Sequence, residues 1–309
     1  MLVTFDSVPA KADQPNEDFV AATPDAVVLL DGAGTPAGSE SGCIHGVTWF
    51  VRQLGSALLS SLTRNEDSDP AGCLAASIAE VRCLHADTCD MSHPGSPSAT
   101  VIALRKRKSI VEYAVLADSV LLLSVSDELR VVTDSRESQV GKHFRSDLDA
   151  MPNGTPAHEK ALRNYIENLR AHRNRPGGFW VASTEPNAAA EALTGAVPRD
   201  QVRAAALLSD GASRLVDRFG LATWDDALRT LATAGPSELL RQVRAAENGD
   251  LEGSRWPRGK VHDDATAAYC VGGAFSGLSL YGSALTDHLE HQPRSRSEVS
   301  ADTDHSGDL

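Results

Sequence analysis

Hydrophobic and polar positions alternate along this chain in two rhythms, one of strands and one of helices. Leu2 to Val8 has strand-like composition. Phe19 to Ala22 and Val27 to Leu30 are short apolar runs parted by the turn-like Thr23-Pro24-Asp25, and together they predict an opening antiparallel pair. From Ser41 to Leu62 the apolar residues (among them Val47, Phe50, Leu54 and Leu58) recur at helical spacing, and Ala71 to His85 repeats the pattern. Four strand-like runs follow at Ala99–Leu104, Ile110–Leu116, Val120–Val125 and Leu129–Thr133, with connections short enough for successive hairpins, so a meander is expected.

The middle of the chain reads differently. Glu159 to His172 predicts an amphipathic helix, whereas Val140 to Pro156 and Asn174 to Gly178 are rich in turn formers and read as irregular. An apolar strand at Val202–Leu208, helices at Trp224–Thr233 and Glu238–Glu247, and a last strand at Ala265–Val271 close the pattern. Beyond Gly277 the composition turns polar and acidic and reads as a disordered tail, which sets the expected division at residues 1–273 and 274–309. Strands grouped in blocks, with helices in blocks of their own, predict an α+β class in which helices cover antiparallel sheets.

Composition adjusts this picture in three places. Hydrophobic residues make up 41% of the 309 and aromatic ones 5%, so the core is expected to be built from Ala, Val and Leu. The net charge of −13 opposes nucleic acid binding, and the one basic run, Arg105-Lys106-Arg107-Lys108, sits between two strands and reads as a solvated turn. Five cysteines form no CxxC pair, and no His/Cys cluster for zinc is visible along the chain. The thiols are expected to be reduced. No apolar run reaches the ~18 residues of a membrane helix, and no export segment opens the chain, so a cytoplasmic protein without a membrane partner is expected.

The candidate chemistry lies in acidic residues at or beside strand ends: Asn16-Glu17-Asp18, Asp31-Gly32-Ala33-Gly34, Ala117-Asp118-Ser119, Ser209-Asp210-Gly211 and Asp263-Asp264-Ala265-Thr266. A carboxylate there is held by the sheet yet faces solvent, and a following glycine lets the backbone turn or offer its carbonyl. Hard Mg²⁺ or Mn²⁺ ions favour such oxygen ligands, and a pair of them about 3.5–4 Å apart activates water for attack on a phosphoryl group. Each motif alone is more often a turn or a strand cap. Their number and shared placement make the case.

In this order the motifs resemble the metal-dependent protein phosphatases of type 2C, over roughly residues 1–272. The resemblance implies a four-layer α/β/β/α sandwich, two antiparallel sheets flanked by helices, that hydrolyses phosphoserine and phosphothreonine on proteins with two, or with a weaker third, divalent cations. By resemblance Asp31 bridges two cations, the Gly32 carbonyl takes one, Asp210 and Asp263 complete the second, and Asp18 acts through water. These are the family's catalytic positions. Asp118 shares the third cation with Asp210, Glu17 orients water, and Asp264 and Thr266 buttress the site. Phosphoprotein substrates of a serine/threonine kinase and a monomeric state follow from the same likeness.

The departures are specific. Asp13 stands where the family has its phosphate-gripping arginine, leaving Lys11 as a point-charge substitute without the guanidinium fork. Ala33-Gly34-Thr35-Pro36 replaces the usual glycine-rich turn, Ala117 replaces a glycine, and Val120 an arginine. Two further readings stay open, a non-catalytic sensor or binding module and a phosphatase for a small phosphorylated metabolite. His45, His143, His158 and His262 are candidate general acids that sequence does not separate.

Overall fold

Strand β3 (Ala26–Ala33) shows how the layers arise. Ala26 to Leu30 are all fully buried, a continuous run that needs cover on both faces. Val27 and Leu29 point into a core shared with Leu121, Leu123, Leu207 and Ala268 of the opposite sheet. Val28 and Leu30 point the other way, onto Phe50, Leu54 and Leu58 of α1 (Gly46–Arg64) and Leu74 and Ile78 of α2 (Pro70–His85). A side-chain period of two therefore sorts one strand between two cores.

The computed structural model of the protein describes residues 1–35 and 40–271. These lie in one compact unit, Met1–Ser276. Beyond β3 the strands are β1 (Leu2–Val8), β2 (Asp18–Ala22), β4 (Ser98–Lys106), β5 (Ile110–Leu116), β6 (Val120–Val125), β7 (Glu128–Val132), β8 (Leu193–Pro198), β9 (Val202–Leu208) and β10 (Ala265–Val271). One antiparallel sheet runs β1-β10-β9-β6-β7 and the other β2-β3-β4-β5-β8. On the outer face of the first sheet, α6 (Asp210–Asp217), α7 (Trp224–Thr233) and α8 (Pro236–Asn248) cover Leu122, Ala206, Leu208 and Ala267. The four-layer α/β/β/α sandwich implied by the sequence is the architecture found. No described helix is long and apolar enough to cross a membrane.

Several expectations are corrected. The strands between Ala99 and Thr133 are not one meander: β4 and β5 form a hairpin in one sheet, β6 and β7 a hairpin in the other, and β6 pairs with β9. The chain crosses between sheets at Ala117, whose φ of 69° turns it sharply. Left-handed alanine costs about 1–2 kcal/mol, which offsets what glycine loses in buried methyl and unfolded-state freedom. Ala117→Gly is expected to leave the urea midpoint within about 1 kcal/mol of the parent, and Ala117→Val to lower stability by about 1–3 kcal/mol.

The basic run is not a solvated turn throughout. Arg105 is buried, pairs with Glu112 at 2.8 Å and donates to the carbonyls of Leu62, Asn65 and Ser68. The segment expected to be irregular contains α4 (Ser146–Asp149) and the end of α3 (Arg136–Gly141), ahead of α5 (Pro156–Arg170). Strand β8 and helix α6 were not expected from the pattern. Cys43 meets His85 and Cys89, more than forty positions further along the chain, so a His/Cys cluster does exist. The tail from residue 274 lies outside the described residues.

Candidate active site

The acidic residues converge where β2 begins and β3 nears its end, against the turn into α6. Asp18 and Asp31 are register partners across the β2–β3 pair. The backbone N–H of Asp210, the first residue of α6, donates to Asp31 Oδ2 at 3.2 Å. That turn is fastened to β10: Ser209 N–H donates to the Thr266 carbonyl at 3.0 Å, and Thr266 N–H donates to Ser209 Oγ at 2.9 Å. Two glycines permit the approach. A Cβ on Gly211 would overlap the Asp264 carbonyl, and one on Gly32 would lie 2.5 Å from the Glu17 carbonyl oxygen and from Val47 Cγ1.

Behind this turn Asp264 and Thr266 tie distant segments together. Asp264 accepts from Ala10 N–H at 2.6 Å and from Glu17 N–H at 2.7 Å. Thr266 donates its hydroxyl to Asp18 Oδ2 at 2.7 Å and shares a 2.6 Å bond with Ser7. Asp18 Oδ1 is buried with no hydrogen-bond partner among the described residues, a cost that a water or a cation at that oxygen relieves.

The cleft in front has a volume of about 670 Å³ and exposes Asp31, Gly32, Asp118, Asp210, Asp263 and Glu17. Its cations are Lys11, Lys260, Arg163, Arg170 and Arg173. Burial, then the charges of Asp18, Asp210, Asp263 and Asp118, pushes the Asp31 carboxyl well above its usual range. Burial likewise raises Asp118, helped by Glu137 and Asp210, and lifts Glu137 to about 7. Asp18 is raised to about 8, by burial first, against the Thr266 hydrogen bond and with Asp264 and Asp210 adding to it.

Asp263 is the exception. Burial opposes its charge, but Lys260 at 2.7 Å and Arg214 at 2.5 Å outweigh it and hold the carboxyl below its usual range. Both its oxygens already face cations. Lys260, three positions upstream of Asp263, Glu137 on the short α3, and Arg214 on α6 were not singled out in the sequence. Lys11 does line the cleft and is exposed, while Asp13 is exposed outside it. None of His45, His143, His158 or His262 lines the cleft; His158 bonds the Arg258 carbonyl and His262 bonds Asn248.

The donor set of the cleft is carboxylate and carbonyl oxygen, which fits hard divalent cations. The raised carboxyls carry a consequence for the metal-free chain. Unfolded, Asp18 releases its proton near the ordinary 3.8; folded, it keeps it to about 8. Between these values the folded state binds more protons, so Asp18 favours folding at low pH and that contribution is lost as pH rises toward 8. Melting of the chelator-treated chain at pH 5 and pH 8 should show this loss, and Asp18→Asn should reduce it.

The sequence pattern that defines protein phosphatase 2C matches residues 9–244. The chain belongs to the protein phosphatase 2C family. Asp263, Asp264 and Thr266 lie beyond the matched span, yet hydrogen bonds join Asp264 to Ala10 and Glu17 and Thr266 to Asp18, all within it. Solved structures with this fold include the serine/threonine phosphatase Stp1 from Staphylococcus aureus, at 15% identity and a TM-score of 0.51, covering 87% of this chain and 94% of that one. The serine/threonine phosphatase PstP/Ppp from Mycobacterium tuberculosis is 17% identical with a TM-score of 0.50, covering 87% and 97% respectively. At such identities the likeness is one of fold. No curated protein matches the sequence.

Proposed function

We propose that this member of the protein phosphatase 2C family is a Mg²⁺- or Mn²⁺-dependent phosphatase for phosphoserine and phosphothreonine on proteins phosphorylated by a serine/threonine kinase. The observation that carries the reading is the crowding at Asp31, a carboxyl pressed by four others, beside a buried oxygen of Asp18 that has no partner among the described residues. Such a cluster is costly unless positive charge joins it. Asp31, the Gly32 carbonyl, Asp210 and Asp263 would hold two cations, Asp18 would act through water, and Asp118 with Asp210 would hold a third. When bound, these ions supply the charge that offsets the phosphoryl oxygens and activates a water as nucleophile.

The chain's own groups do the remaining work. Asp264 fixes the Glu17 backbone by accepting its N–H, and so sets where the Glu17 side chain enters the cleft. Thr266 holds one oxygen of Asp18 and leaves the other directed away from protein partners. Lys260, which donates to Asp263 at 2.7 Å and lines the cleft, would offer its charge to the incoming phosphate. Lys11 and Arg163 stand exposed on the cleft wall, Arg170 donates to the Gly34 carbonyl at 3.2 Å, and together they draw phosphate in where the family's arginine is replaced by Asp13.

The direct test is phosphate release from a phosphothreonine peptide by the chelator-treated chain. Activity should be absent, return on addition of Mn²⁺ or Mg²⁺, and exceed that on small phosphorylated metabolites. A chain that binds manganese yet turns over no phosphopeptide is instead a sensor or binding module, and one that prefers metabolites has a different substrate class.

A further inference from the structure

Away from the acidic cleft, the approach to α1 and the turn after α2 bring three soft ligands together. Cys43 lies just ahead of α1, His85 is the last residue of α2, and Cys89 follows on the same turn, its N–H donating to the His85 carbonyl at 3.0 Å. That helical spacing sets His85 and Cys89 on one side of the turn. Cys43 Sγ stands 3.7 Å from His85 Nδ1 and 3.5 Å from Cys89 Sγ, and all three ligand atoms lie within 4.8 Å of one another.

We propose that Cys43, His85 and Cys89 form a zinc-binding site separate from the catalytic cleft. Ligands bound to one zinc ion, at about 2.3 Å for sulfur and about 2.0–2.1 Å for nitrogen, stand roughly 3.5–3.8 Å apart at the corners of a tetrahedron. The separations of 3.7 and 3.5 Å from Cys43 already meet that spacing, so the ion needs little rearrangement. His85 is only 2% exposed and packs against Trp49 at 5.1 Å between ring centroids, which holds its Nδ1 on the cysteines. Water takes the fourth corner.

Chemistry separates this site from the cleft. Two thiolates and an imidazole favour zinc over magnesium or manganese, whereas the cleft offers only oxygen. Cys43 and Cys89 are free thiols, so nothing covalent competes for them. An ion here cross-links the start of α1 to the end of α2. Helix α1 carries Val47, whose methyl closes on Gly32, so the clamp braces the wall behind Asp31.

The test uses the full chain, reduced and stripped with chelator, then given cobalt as a probe. A thiolate-to-cobalt charge-transfer absorption is expected with one equivalent of Co²⁺, displaced by one equivalent of Zn²⁺ and untouched by excess Mg²⁺. It should vanish in Cys43→Ser and Cys89→Ser, and persist in Asp31→Asn and in Cys83→Ser, which changes an exposed thiol outside the cluster. Zinc should raise the melting temperature of the parent chain by about 5–10 °C and leave that of Cys43→Ser unmoved. Should Cys43→Ser fail to fold by circular dichroism, His85→Asn serves in its place. No charge-transfer absorption in the folded parent, or its persistence in a folded cluster variant, would overturn the proposal.

Discussion

Asp31→Asn and Asp210→Asn are each expected to lower Mn²⁺-dependent phosphate release by at least about a thousandfold, since a charge contribution of several kcal/mol is tenfold in rate for every 1.4. Asparagine keeps the shape of the side chain and removes its charge. At position 31 that charge is already disfavoured, by burial and by Asp18, Asp210, Asp263 and Asp118. The metal-free Asp31→Asn chain should therefore melt no lower, and at neutral pH higher, than the parent. The two readouts move in opposite directions, so lost activity through unfolding is distinguishable from lost activity through lost ligand charge. Full activity in both variants would remove the carboxylate cluster from the mechanism, and an exposed control such as Asp200→Asn should change neither quantity.

How much of this site could be read in advance depended on whether a residue's signal was local. Asp31 follows the fully buried run Ala26–Leu30 of β3 and precedes a glycine that the Glu17 carbonyl crowds, so apolar run, acid and glycine stand side by side in the chain. Asp210 has similar flanks, with Leu207 and Leu208 before it and Gly211 after, whereas Asp263 is marked by the adjacent Asp264 ahead of a buried strand. Arg214 does not: it reaches Asp263, 49 positions away, and nothing around it marks that partner. Glu137 sits on a helix of six residues, too short to show a period.

The fold divides the same way. Strand β3 and helix α1 announce themselves by long apolar patterns, whereas β8 is a mostly exposed edge strand with no alternation to detect. The crossing at Ala117 was missed because a hairpin and a sheet-to-sheet crossover have the same apolar runs on either side; only the left-handed φ and the pairing of β6 with β9 decide between them. The Cys43, His85 and Cys89 cluster stayed invisible because α1 and almost all of α2 separate its first member from the other two.

Arg214→Met should destabilise the protein by about 3–5 kcal/mol, because it strips the partner from charges that are already out of water. Arg214 donates to Glu247 at 2.9 Å and to Asp263 at 2.5 Å, and it is 8% exposed while Glu247 is fully buried. Arg244 also pairs with Glu247, at 2.6 Å, and donates to the Asp263 carbonyl, so the loss leaves the Glu247 carboxylate with Arg244 and the Asp263 carboxylate with Lys260 and the Asp264 N–H. For a chain of this size that corresponds to a melting temperature lower by roughly 10 °C. A double change, Arg214→Met with Glu247→Leu, removes both members of the buried pair and should recover much of the loss, since apolar packing of similar volume often replaces such pairs at little cost. Recovery by the double variant would assign the effect to the stranded charge of Glu247; failure to recover would place it at Asp263, where Arg214 braces the cleft wall, and metal binding by the double variant would then be weakened as well.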